Sequence, residues 1–189
     1  TVIGAGTMGN GIAHVFAQNG YPVSLVDINP AGLEKALATI EKNLDRQISK
    51  GLIDEDKKKE TLGNIQTFTN LKEGVSKAEL VIEAATENVD IKLKLFTQLD
   101  ELCHEDAILA TNTSSISITR IGAATQRPDK VIGMHFMNPV PVMKLVEIIR
   151  GYATSDVVTA NIVALSKDIQ KVPTECNDYP GFVANRILM

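Results

Sequence analysis

The sequence predicts an α/β fold, a doubly wound and mostly parallel sheet, on three observations. Short apolar runs that suit strands alternate with helical stretches along almost the whole chain. The first run leads into a glycine turn, Gly4-Ala-Gly6-Thr-Met-Gly9. The second run ends in an acid, Asp27. With 189 residues there is material for one good-sized core, or for one domain and the beginning of another.

Taking the elements in order, residues 1–3 form the first strand. Three residues are too few for a central strand, so the natural chain is expected to begin a few residues earlier. Gly4 permits the tight turn, Gly6 lets the backbone come close to a pyrophosphate, and Gly9 allows the following helix to pack on the strand. That helix offers free N–H groups and a positive dipole end to an anion, so Thr7 and Met8 in its first turn join the glycines as candidate cofactor-binding residues. Residues 22–27 form the second strand. Asp27 lies eighteen residues beyond Gly9, the spacing of an acid that accepts hydrogen bonds from an adenosine ribose and repels a 2′-phosphate, which predicts NAD rather than NADP. Taken singly, the glycines could be an ordinary βα turn and Asp27 a helix cap.

Asn29-Pro30 caps the next helix, predicted over 31–50, and a turn at 51–54 leads into a strongly charged helix over 55–62. This helical pair is longer than a crossover requires. It reads either as an extension over a substrate site, with Lys50 and Lys57 to Lys59 near phosphates, or as a solvated charged face. A strand at 64–69, a brief helix at 71–76 and a strand at 79–84 follow, the last apolar enough to be buried on both faces. Then come a helix at 89–102, a strand at 107–111 and a helix at 116–124. Towards the end, 155–169 is helical, 171–176 is extended, and a last helix is predicted from 177 onward.

Residues 130–149 concentrate the chemistry. A strand runs over 130–134 with His135 where it should end; Asn138-Pro-Val-Pro141 cannot continue a sheet because proline lacks a donor N–H, and 144–149 resumes β character. Glu147, inside an apolar strand, needs a partner if it is buried, and His135 is the nearest candidate. The pair reads in one of two ways. It is a general base with a carboxylate that fixes its tautomer and favours the imidazolium, or it is a satisfied core histidine with a solvent-facing glutamate. Ligands of doubly wound sheets bind beyond the carboxyl ends of the strands. The glycine turn, Asp27, Glu87, Ser114, His135 and Asn138 each follow a predicted strand, so they should share one rim.

Composition excludes some function classes. A net charge of -4 leaves no basic excess for nucleic acid or a membrane surface. No apolar run approaches the ~20 residues that span a bilayer, and the start carries no signal-peptide pattern. Cys103 and Cys176 lie far apart and suit free thiols in a reducing compartment, so a cytoplasmic location is expected. His14 and His104 belong to no constellation, and no metal site is expected.

With these residues assembled, the chain resembles the amino-terminal NAD-binding domain of the L-3-hydroxyacyl-CoA dehydrogenases, a Rossmann-type fold, and is most similar to the bacterial 3-hydroxybutyryl-CoA enzymes. The motifs are Gly4-x-Gly-x-x-Gly9, Glu83-Ala-x-x-Glu-Asn88, Asn112-Thr-Ser-Ser115, His135-Phe-x-Asn-Pro-Val-Pro141 with Glu147, and Asp178-x-Pro-Gly-Phe-x-x-Asn-Arg186. The resemblance implies NAD-dependent oxidation of the 3-hydroxyl of an acyl-CoA, or the reverse. It implies His135 as general base, Glu147 as its partner, Ser114 on the reacting oxygen and Asn185 beside it. It further implies Asn138, Glu87, Lys92 and Ser114 near the nicotinamide half of the cofactor, and Lys50 on the CoA phosphates. By the same resemblance, residues 1–180 are the cofactor domain and 181–189 the start of a carboxy-terminal helical domain through which the full-length protein forms a homodimer. Two other readings stand beside it: a domain that binds NAD(H) without catalysis, and a dehydrogenase of another hydroxy acid.

Overall fold

The computed structural model describes residues 1–187. Its centre is one eight-stranded sheet in the order β3-β2-β1-β4-β5-β6-β7-β8. The strands are β1 (Val2–Ile3), β2 (Val23–Val26), β3 (Ile65–Phe68), β4 (Leu80–Glu83), β5 (Ile108–Thr111), β6 (Val131–Phe136), β7 (Leu145–Arg150) and β8 (Val172–Asn177). Every neighbouring pair is parallel except β6 with β7. The exception follows from length, because the few residues between Phe136 and Leu145 cannot make the dozen-residue crossover that a parallel return needs.

Strand side chains alternate between two cores. Val2, Leu25, Ile82, Ala110, Ile132 and Ile148 face one side, under helices α1 (Thr7–Gln18), α2 (Pro30–Ser49) and, further along the chain, the helix over Asp156–Asp168. Their neighbours Ile3, Val26, Val81, Leu109, Val131 and Ile149 face the other. There they meet α4 (Leu71–Val75), α5 (Val89–Leu102) and α6 (Ile118–Gly122), while α3 (Glu55–Gly63) packs beside α1 and α2. With helices on both faces the sheet is doubly wound, as expected. The chain moves outward from β1 to β3 and then jumps back to β4, so a crevice opens at the carboxyl ends of β1 and β4.

Three sequence expectations change. His135 lies inside β6, paired across from Glu147, because the strand continues to Phe136. The helix expected over 116–124 is shorter; Ser117 caps it by accepting from the Arg120 N–H, and it ends after Gly122. The helix expected from 177 onward begins only at Ala184, as α8 (Ala184–Ile187), with α7 being the Asp156–Asp168 helix. Asn177 still belongs to β8, Asp178 turns aside to accept hydrogen bonds from Ser117, Ile118 and Thr119, and Gly181 and Phe182 have φ of 78° and 47°. Neither value is compatible with a right-handed helix. Residues 188 and 189 of that predicted helix lie outside the described residues.

Candidate active site

The glycine turn follows the roles read from its spacing. Gly4 has φ of 97°, and a Cβ there would lie 2.7 Å from the Ala84 carbonyl oxygen. At Gly9 a Cβ would lie 1.7 Å from the Gly4 carbonyl oxygen, so helix and strand meet with no room for a side chain. Nothing lies within 4 Å of the corresponding point at Gly6, which is exposed and is the N-cap of α1 without any side-chain cap. The α1 N-terminus, with Thr7 exposed and Met8 half-buried, is therefore left uncapped toward the crevice.

Asp27 sits beside this turn. One carboxylate oxygen accepts from the Ala5 N–H at 2.7 Å and the other from the Asn29 N–H at 2.9 Å. Each oxygen keeps a lone pair, so the acid both shapes the glycine loop and can still accept from a hydroxyl. These residues fit a dinucleotide: an open backbone at Gly6, free helix N–H groups, and a carboxylate one strand over.

Further along the rim, Glu87 bridges two loops. It accepts from Thr113 Oγ1 at 2.7 Å and from the Ser114 N–H at 3.0 Å, with Ser114 Oγ at 3.4 Å. Asn185 Nδ2 donates to the Ser114 carbonyl at 3.0 Å, which brings the start of α8 over the same loop. Asn112 Oδ1 accepts from the Phe136 N–H and joins the ends of β5 and β6. Asn138 is exposed on the loop beyond β6, whose Val140 packs against Gly11 of α1. These contacts join the loop after β4 to the loop after β5, and the end of β5 to the end of β6.

At its far side lies the pair that the sequence left ambiguous. His135 Nδ1 is 2.7 Å from Glu147 Oε2, across the antiparallel β6–β7 register. Glu147 is 1 % exposed, so the solvent-facing alternative is excluded. Its second oxygen accepts from the Val183 and Ala184 N–H groups at 2.9 and 2.7 Å, so both oxygens of the buried carboxylate are hydrogen-bonded. With Nδ1–H donating to Glu147, His135 Nε2 is left as an acceptor. The ring retains 8 % exposure and stands edge-on to Phe182 at 6.0 Å.

Lys92, expected near the nicotinamide half of the cofactor, is 1 % exposed, and its ammonium is bonded to Glu83 and to Thr111 Oγ1 at the carboxyl ends of β4 and β5. The reason is Glu83, a fully buried carboxylate at the end of an apolar strand, which demands a cation. The logic that flagged Glu147 would have flagged Glu83 as well. Lys50 is exposed just beyond α2, between Gln47 and Leu52, which line a cleft of about 450 Å³. Lys57, Lys144 and Lys171 also line it, with no acid among the lining residues. Burial and then the Lys144 ammonium pull the Lys171 amine down to about 8. A larger cavity of about 580 Å³ opens at the opposite ends of the strands, beside Thr1, Lys77 and Asn161, and holds none of the predicted site residues.

A sequence profile described as "3-hydroxyacyl-CoA dehydrogenase, NAD binding domain" matches residues 1–179. The chain belongs to this family. Among 3-hydroxyacyl-CoA dehydrogenases, it is 50% identical over 188 residues to the 3-hydroxybutyryl-CoA dehydrogenase of Clostridioides difficile, covering 100% of this chain and 66% of that one. The probable 3-hydroxybutyryl-CoA dehydrogenase of Bacillus subtilis is 47% identical, again with 100% of this chain covered and 65% of the relative. The crystal structure of (S)-3-hydroxybutyryl-CoA dehydrogenase from Ralstonia eutropha superposes with a TM-score of 0.97 at 50% identity, over 99% of this chain and 66% of that chain. The chain thus spans about two thirds of the length of the curated relatives it matches.

Proposed function

We propose that this chain is the cofactor-binding and catalytic part of an NAD-dependent dehydrogenase that interconverts L-3-hydroxyacyl-CoA and 3-oxoacyl-CoA, with short-chain 3-hydroxybutyryl-CoA as substrate. The observation that carries the reading is the 2.7 Å His135–Glu147 pair, which leaves one imidazole nitrogen free at the cofactor rim. The names of the C. difficile, B. subtilis and R. eutropha relatives support the substrate. The lysine-lined cleft beside Lys50 suits the phosphates of a CoA ester.

Bound NAD supplies the hydride acceptor; the remaining work falls to the chain's own side chains. His135 Nε2 takes the proton of the 3-hydroxyl as the carbinol carbon loses hydride and C–O becomes C=O. Glu147 holds the ring in the tautomer that presents Nε2 and stabilises the imidazolium that forms. In the reverse direction the imidazolium returns the proton to the alkoxide. Ser114 donates to the reacting oxygen, and Asn185 fixes the Ser114 loop through its carbonyl. Glu87 and Asn138 line the nicotinamide side. Direct participation of Lys92 would require its ammonium to leave Glu83, so its part is to hold the floor of the site.

The family resemblance also supports a homodimer formed through a carboxy-terminal helical domain. Two unpaired thiols, Cys103 and Cys176, suit a reducing cytoplasm. The decisive assay offers acetoacetyl-CoA and NADH to the protein at its natural length. NADH should be consumed as 3-hydroxybutyryl-CoA appears. NADH binding with no product from any short-chain 3-oxoacyl-CoA would discard the enzyme in favour of a binding module.

A further inference from the structure

The segment between β8 and α8 has no task in the reaction as described, yet it is held at both ends by hydrogen bonds. At one end, Asp178 accepts from Ser117 Oγ at 2.6 Å and from the Ile118 and Thr119 N–H groups at 3.0 and 2.8 Å, which pins it to the start of α6. At the other end, the Val183 and Ala184 N–H groups close on Glu147. Between them, Phe182 takes φ of 47°, a left-handed conformation that a bulky side chain adopts only when its surroundings enforce it. Its ring is 3 % exposed and stands edge-on to the His135 imidazole, 6.0 Å between centroids at 62°. A glycine would satisfy that backbone more easily. The chain keeps a phenyl ring there, and the ring lies against the imidazole.

We propose that Phe182 is a positioning residue for His135. Its ring stands edge-on against the imidazole, so that the Nδ1–H stays on Glu147 and Nε2 stays aimed at the substrate hydroxyl. The strained backbone at Phe182 is the consequence of turning that ring toward His135 while the next two N–H groups reach Glu147. The proposal rests on the reading of His135 as the base. An imidazole free to swing is a poorer base, since a displacement of about 1 Å at a reacting group can cost about 100-fold in rate.

Glycine at this position separates the ring from the backbone. In the protein at its natural length, Phe182→Gly removes the benzyl side chain at a φ that glycine adopts without strain. The expected result is a fall in kcat of about 10- to 100-fold for acetoacetyl-CoA reduction, with KM and the NADH dissociation constant changed by less than about threefold. Phe182→Leu, which restores bulk against the imidazole, should recover part of that loss. The ¹⁵N shifts of the His135 ring provide a readout independent of turnover. They should report one tautomer, protonated at Nδ1, in the parent protein and an averaged ring in Phe182→Gly. Should the glycine variant fail to accumulate as folded protein, the same kinetic and ¹⁵N comparison is made on Phe182→Leu, where a smaller change in the same direction is expected. Unchanged kcat and unchanged His135 shifts in the folded variants overturn the proposal. So does a loss of kcat matched by an equal loss of NADH affinity. If the parent protein reduces no 3-oxoacyl-CoA but the ¹⁵N change still appears, the functional reading falls and the positioning role stands.

Discussion

Two buried carboxylates, each bonded to a basic side chain, lie on either side of β5, and they differ in what the basic partner leaves open. Glu83 and Lys92 are 0% and 1% exposed at the side chain; Glu147 and His135 are 1% and 10%. Both carboxylates are held by several donors, four at Glu83 and three at Glu147. Glu83 accepts from the Ala85 and Thr86 N–H groups, from Thr111 Oγ1 and from Lys92, as Glu147 accepts from Val183, Ala184 and His135. The difference lies in the basic partner. A lysine ammonium has only donors, and here it is enclosed, so the pair is complete and can only hold loops together. A neutral imidazole bound through one nitrogen keeps a lone pair on the other, and this side chain is 10% exposed. Only a pair whose partner retains such a lone pair is equipped to take a proton.

The contrast is broken most severely at the open pair. His135→Gln can still donate to Glu147 but cannot take a proton, so kcat should fall by about 10²- to 10⁴-fold while NADH binding is retained. Turnover within about threefold of the parent would remove His135 from the mechanism. At the closed pair the loss should appear in stability instead. Lys92→Met strands a buried carboxylate and should lower unfolding free energy by about 3–5 kcal/mol in urea titrations, with a Glu83→Gln/Lys92→Met double variant recovering much of it. A change in Lys92→Met below about 1 kcal/mol would show that the pair is not the closure drawn here.

His14 sharpens the comparison from a third direction, as a buried imidazole with no carboxylate. It is 0% exposed, Nδ1 has no partner among the described residues, and Nε2 lies 3.3 Å from the Gln47 side-chain nitrogen. Burial pulls it down to about 4. The unfolded chain therefore binds a proton first as pH falls, so the contribution of a neutral His14 is complete above the ordinary value of 6.5 and is lost as pH falls toward 4. His14→Gln should flatten the stability profile in that window, by at most about 3 kcal/mol. An unaltered slope would mean that the ring is hydrated or paired in solution.

Much of this site was legible from residue order because it rests on local rules. Glycine spacing, an acid closing the second strand, and the placement of Glu87, Ser114 and His135 after apolar runs depend on strand ends, and strand ends can be read from short-range pattern. Glu147 was legible for a different reason, as a charge where no charge should be buried alone. The burial of Lys92 was not legible because its partner, Glu83, was passed over in a strand read only for apolar content. Phe182 gave no signal as a neighbour of the imidazole; the turn formed by Asp178 and Gly181 looked like the first turn of a helix.

Sequence alone determined the alternation of strands and helices and the tight glycine turn between β1 and α1, since each follows from backbone chemistry within a few residues of itself. Tertiary structure decided which lysine is enclosed and which is free, that the antiparallel β7 lays Glu147 against His135, and that a segment some 35 residues further on closes over both. Those are contacts between distant parts of the chain. Their outcome depends on which buried charge finds a partner first in the packed interior, a competition that no local pattern records.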